Sequence, residues 1–161
     1  IDRFETKPAR GSSYVPTPEK YSNPKSGLVN IKNDDNECCR WCMLYHQSDK
    51  EKHSERISSL KKVDDKFDYT GINYPVYYED IERFENMNKL SIYAYGIEID
   101  DDGKYSIIIE KEGNTDFILN DIIYLLRIES EEGDKSHYIY IKHIDRLMNI
   151  HTQRIDKNIK F

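Results

Sequence analysis

Cys38, Cys39 and Cys42, set within five residues of one another, and the histidines at 46, 53, 137, 143 and 151 are the side chains of this sequence best suited to nucleophilic or metal chemistry. Asn33-Asp34-Asp35-Asn36, a cluster of turn-forming and helix-capping residues, precedes them. Apolar positions Cys38, Trp41, Cys42, Leu44 and Tyr45 then recur at three- and four-residue spacing, which predicts a helix from about 37 to 47. A thiol in the first turn of that helix sits near the positive end of the helix dipole and beside free backbone N–H groups. Both favour the thiolate and make Cys38 the candidate nucleophile. The same N–H groups can form part of an oxyanion hole, to which Asn33, five residues upstream, could add its side-chain amide.

A thiol nucleophile needs a base. Among the histidines, His137 alone stands at the start of an alternating strand pattern, Ser136-His137-Tyr138-Ile139-Tyr140-Ile141-Lys142, where a sheet would hold the imidazole rigidly. Asp145 is the nearest downstream carboxylate to orient the ring, with Asp134 as the upstream competitor. The competing reading of each is ordinary: a buried thiol on a core helix and a histidine on a strand surface. Cys38, Cys42 and His46 are spaced for one helical face, but three ligands on one helix make a poor tetrahedron and no second Cys/His cluster supplies a fourth. No metal or other cofactor is expected.

Composition narrows the class. At 161 residues the chain fits one domain, and 37% hydrophobic with 34% charged residues is ordinary for a soluble globular protein. No apolar run approaches the roughly 18 residues of a membrane span. Nothing at the N-terminus resembles a signal peptide, so an intracellular protein with reduced thiols is expected, in cytoplasm or nucleus. A formal charge of −6 argues against nucleic-acid binding and favours a basic partner surface. A monomer is expected.

Residues 1–26 hold Pro8, Pro16, Pro18 and Pro24 and show no periodicity, which predicts an extended arm ahead of a domain at 27–149 and a polar tail at 150–161. A short apolar stretch, 27–31, leads toward the cysteine helix. Residues 48–66 are highly charged, with at most a weak surface helix around 52–62. Tyr78 to Asn88 reads as an amphipathic helix. Leu90 to Tyr95, Tyr105 to Ile109, Ile122 to Ile128 and Tyr138 to Ile141 read as four strands of an antiparallel sheet, and Asp145 to Asn149 as a helical turn. Helices first and strands afterwards indicate α+β.

Asn30-Ile31-Lys32-Asn33-Asp34-Asp35-Asn36-Glu37-Cys38-Cys39-Arg40-Trp41 resembles the N-I-K-N-x-D-N-x-C-F-x-W motif of proteins encoded by large transposons of the Polinton/Maverick type. Gly71 to Val76 is similar to their G-I-x-F-P-V segment, and His137 to Lys142 to their H-Y-x-x-I-K. Those proteins in turn resemble the herpesvirus tegument deubiquitinases, which are papain-like cysteine peptidases. The resemblance implies a papain-like fold with the catalytic helix on an antiparallel sheet, Cys38 as nucleophile, His137 as base and Asn33 as an oxyanion residue. It also implies cleavage after the C-terminal Gly-Gly of ubiquitin or polyubiquitin. Gly27-Leu28-Val29-Asn30 and Asn36-Glu37-Cys38 echo the G-L-x-N…N-x-C box of ubiquitin-specific proteases at a spacing three residues longer. Cys39 stands where the transposon motif has Phe and is a second thiol to distinguish from the nucleophile. Tyr138 resembles the aromatic residue that follows the histidine in many deubiquitinases and covers the Gly-Gly path. The alternatives are a catalytically inactive ubiquitin-binding or scaffold module of a mobile element, and a peptidase without ubiquitin specificity.

Overall fold

The computed structural model describes residues 14–150, which form an α+β unit on a five-stranded sheet. In chain order the elements are β1 (Leu28–Val29), α1 (Cys38–Gln47), α2 (Ile57–Leu60), α3 (Tyr78–Asn88), β2 (Ser91–Ile99), β3 (Tyr105–Lys111), β4 (Ile122–Glu129) and β5 (Ser136–Ile141). Residues 144–150 are helical, and the expected tail beyond lies outside the described residues. No helix among the described residues is long and apolar enough to cross a membrane.

The sheet order is β1-β5-β4-β2-β3, and the sheet is mixed rather than antiparallel throughout. The β2–β3 hairpin places β3 on the outer edge. Residues 112–121 then pass the start of β2, where the Ser91 amide donates to the Asp121 carbonyl at 2.9 Å. So β4 joins the other side of β2 running parallel to it, from Ser91↔Ile122 to Tyr95↔Leu126. β5 returns antiparallel to β4 and carries β1 on its free side. At Gly27 (φ +83°) the chain turns tightly against the end of β5. A Cβ there would meet the His143 carbonyl oxygen at 2.5 Å, so glycine is required both for space and for the left-handed backbone.

Alternation along β5 divides the core. Tyr138 and Tyr140 pack with α1 and with Ile81 and Phe84 of α3 on one face. Ile139 and Ile141 face the other way, onto Val15, Tyr21, Leu126, Ile128 and Leu147. Tyr21 is fully buried in a short 3-10 turn, so residues 14–26 are a packed covering of the second face rather than an extended arm.

A buried ionic group locks α3 to the sheet. Glu85 at the last turn of α3 accepts Lys111 Nζ at 2.8 Å on one oxygen, and the Ile92 and Asn114 amides at 2.7 and 3.0 Å on the other. Lys111 completes its shell with the Ile92 and Glu112 carbonyls. Lys111 thus makes three donor bonds and the Glu85 carboxylate accepts three, the kind of satisfaction under which a buried ion pair is tolerated. Lys111→Met should therefore cost about 3–5 kcal/mol by leaving the carboxylate uncompensated, and adding Glu85→Gln should recover a substantial part of it. Urea denaturation of the single and double variants measures both; a single-variant loss under about 1 kcal/mol would contradict the assignment.

Candidate active site

Cys38 occupies the place where the β1–β5 ladder ends. Gly27 and Lys142, then Val29 and Tyr140, are cross-strand partners, and continuation would pair Ile31 with Tyr138. The chain turns away instead: the Ile31 carbonyl accepts the Asn33 amide at 3.1 Å, and the Tyr138 N–H donates to Cys38 Sγ at 3.4 Å. Cys42, one turn on, donates its S–H to the Tyr138 carbonyl at 3.6 Å. Two thiols of α1 thus take up both backbone polar groups of one residue of β5. An N–H aimed at sulfur is an interaction that strengthens when the sulfur is anionic.

The start of α1 is shaped by Asp35. Its carboxylate accepts the Glu37 amide at 3.0 Å, the Asn33 side-chain amide at 2.9 Å and Trp41 Nε1 at 3.0 and 3.2 Å. Burial pushes this carboxyl upward, but these donors outweigh it and hold it below the ordinary value. Glu37, the residue before the helix, caps nothing with its own side chain, and the first helical bond runs from the Trp41 amide to the Glu37 carbonyl. The amides of Cys38, Cys39 and Arg40 therefore precede the intrahelical ladder, beside the thiol.

His137 is 0% exposed. Its Nε2 lies 2.7 Å from Asn30 Oδ1. The Asn30 amide is fixed the right way round, because its nitrogen donates to the Val15 carbonyl at 2.9 Å and to Thr17 Oγ1 at 3.0 Å. A carbonyl can only accept, so Oδ1 faces the ring and Nε2 carries the proton. Nδ1 is left as the basic nitrogen, without a hydrogen-bond partner among the described residues. Burial pushes the imidazole down to about 4, with the Ile31 backbone offsetting part of the effect.

The thiol and the imidazole accordingly come to the same point of the sheet edge, with Cys38 bonded to the amide that follows His137. They are not hydrogen-bonded to each other. Alternation turns the His137 ring toward Asn30 and Tyr14, while Tyr138 points into the α1 side.

The other expected site residues are placed differently. The group that orients His137 is Asn30; Asp145 is exposed on the 144–150 helix, and Asp134 bonds to Ser130 Oγ at 2.8 Å in the β4–β5 turn. Asn33 is engaged in the turn before α1: both N–H groups of its amide are directed to Asp35, at 2.9 Å to the carbonyl and 2.9 Å to the carboxylate. Tyr138 is 4% exposed and packs within the core on the α1 face. Cys39 and Cys42 are buried, and desolvation raises both thiols, with further opposition from Cys38 in each case and from Asp80 at Cys39. His46 is engaged between the Tyr140 hydroxyl and Asp121, at 2.7 Å each. Asn30 lay outside the expected set; its spacing from the motif cysteine gave it no signal, because its role depends on the tertiary meeting of residues 15, 30 and 137.

No protein-family model, curated protein or solved structure matches this chain.

A ring that takes its proton near 6.5 when unfolded and near 4 when native favours folding fully above pH 6.5 and loses that advantage as pH falls toward 4. The loss is on the order of 3 kcal/mol. His137→Gln should flatten the stability–pH slope across this window, and long-range 1H–15N spectra of the unmodified protein at pH 7 should show the Nε2–H tautomer. An Nδ1–H ring, or a slope unchanged in the variant, would contradict the assignment.

Proposed function

We propose that this chain is a thiol-dependent peptidase acting on ubiquitin, with Cys38 as nucleophile, His137 as base and Asn30 as the group that orients the imidazole. The observation that carries the reading is the fixed amide of Asn30, which leaves the lone pair of His137 Nδ1 free at the same sheet edge as a helix-start thiol. The Cys38 proton passes to Nδ1 as sulfur attacks the carbonyl carbon. The oxyanion is met by the first-turn amides of α1. The imidazolium returns its proton to the leaving amine, giving a thioester. Water, deprotonated by the same nitrogen, then releases the acid and restores the thiol.

Ubiquitin as substrate rests on the motif resemblance and on the acidic charge, which suits the basic residues of the ubiquitin tail. A second reading, an inactive module that binds ubiquitin or scaffolds a mobile element, is favoured by one observation: Cys38 is 2% exposed and its sulfur faces an amide, not the imidazole.

Incubation with ubiquitin-propargylamide and with ubiquitin chains separates the two. Labelling should be lost in Cys38→Ala and persist within several-fold in Cys39→Ala and Cys42→Ala. Asn30→Ala should lower kcat by roughly 10-fold or more, as a member of a coupled unit, while Asp145→Ala should leave it near wild type. Labelling of the Cys38→Ala protein would remove the nucleophile, and equal cleavage of substrates ending in Gly-Gly and Ala-Gly would replace the deubiquitinase with a peptidase of broader specificity.

A further inference from the structure

The imidazole that this mechanism requires is closed off by residues 14–17. Tyr14 sets its ring against that of His137 in an edge-on arrangement, with centroids 5.6 Å apart, and Lys32 Nζ lies 5.5 Å from the centroid of the Tyr14 ring. Val15 is 5% exposed, buried with Ile128 and Ile139 beneath the sheet. The Val15 carbonyl and the Thr17 hydroxyl take the two N–H groups of Asn30, the residue whose oxygen holds the ring.

The attachment is of a kind that can be undone. Pro16 and Pro18 lack N–H groups and keep the segment extended, so it cannot join a regular ladder. Its polar tethers are the two bonds from the Asn30 side chain. A substrate in extended conformation offers backbone carbonyls of the same kind as that of Val15, and could take over those donors.

We propose that residues 14–17 are a removable strap over the His137 side of the site, with Asn30 as the shared tether that serves the strap on one side and the imidazole on the other. The proposal rests on the peptidase reading for its consequence, and on geometry for the cover itself. Displacement of the strap would expose the imidazole to water and free the Asn30 donors, so that opening and activation are one event.

The cover can be tested without a ubiquitin substrate. Diethylpyrocarbonate acylates accessible neutral imidazoles, and His137 is the single histidine of the tryptic peptide 136–142. In the full-length protein Tyr14→Ala should raise the rate of His137 modification about 10-fold or more, and Pro16→Gly, which loosens the backbone without removing a contact, several-fold. Near-ultraviolet circular dichroism should be retained in both. Ubiquitin-propargylamide labelling of Cys38 should accelerate in parallel. Unchanged modification rates in both variants, or increases that accompany loss of the dichroism signal, overturn the strap whatever the probe reports. Faster modification with no probe labelling in any form of the protein leaves the strap as a cover of His137 and removes the peptidase reading instead.

Discussion

The backbone N–H and C=O of Tyr138 impose the constraint around which the site is arranged. All six residues of β5 are buried, so every N–H and C=O along it must find a partner within the protein. β4 supplies partners on one side, but β1 ends at Val29 and cannot reach Tyr138. The two thiols of α1 fill the gap. An orphaned buried amide costs about 1–3 kcal/mol, so Cys38 has a structural duty whatever chemistry it performs. That duty fixes where α1 starts, and the loop at 30–37 must then deliver the chain from the ladder to that point. Asp35 gives the loop its shape by gathering donors from residues 33, 37 and 41.

Much of this was legible in the sequence, and the reasons differ by element. The helix at Tyr78–Asn88 has its full extent in the apolar spacing, and α1 follows the capping cluster at 33–36. The strands were legible from β-branched and aromatic runs. The parallel pairing of β2 and β4 was not, because it follows from β3 taking the outer edge, a choice made by tertiary packing. β1 escaped notice for a related reason: two residues have no period, and they form a strand only because β5 offers an edge.

The site divides in the same way. Chemistry local to the helix start was readable, since the dipole and the free amides belong to α1 itself. Roles that depend on a distant partner were not. Asp145 is near His137 in sequence, but the chain enters a helix at 144 and carries the carboxylate to the surface. The placement of Tyr138 could have been derived. In Ser136-His137-Tyr138-Ile139-Tyr140-Ile141 the even positions 138 and 140 are aromatic and the odd ones turn the opposite way, so a tyrosine following the histidine faces the other side of the sheet. Once α1 covers the even face, Tyr138 has to be core.

Burial and tautomer together define the resting chemistry. A buried imidazolium is supported by solvent, by an anion or by hydrogen-bond acceptors. The described surroundings of His137 supply an uncharged amide and an aromatic edge, and desolvation favours the neutral ring. Asn30 fixes the geometry of the ring without adding a charge, and burial keeps its free nitrogen weakly basic. Water or substrate reaching the ring removes the desolvation penalty that weakens it. On the proposed reading, access of water to the ring controls its basicity, and the segment that covers His137 controls that access.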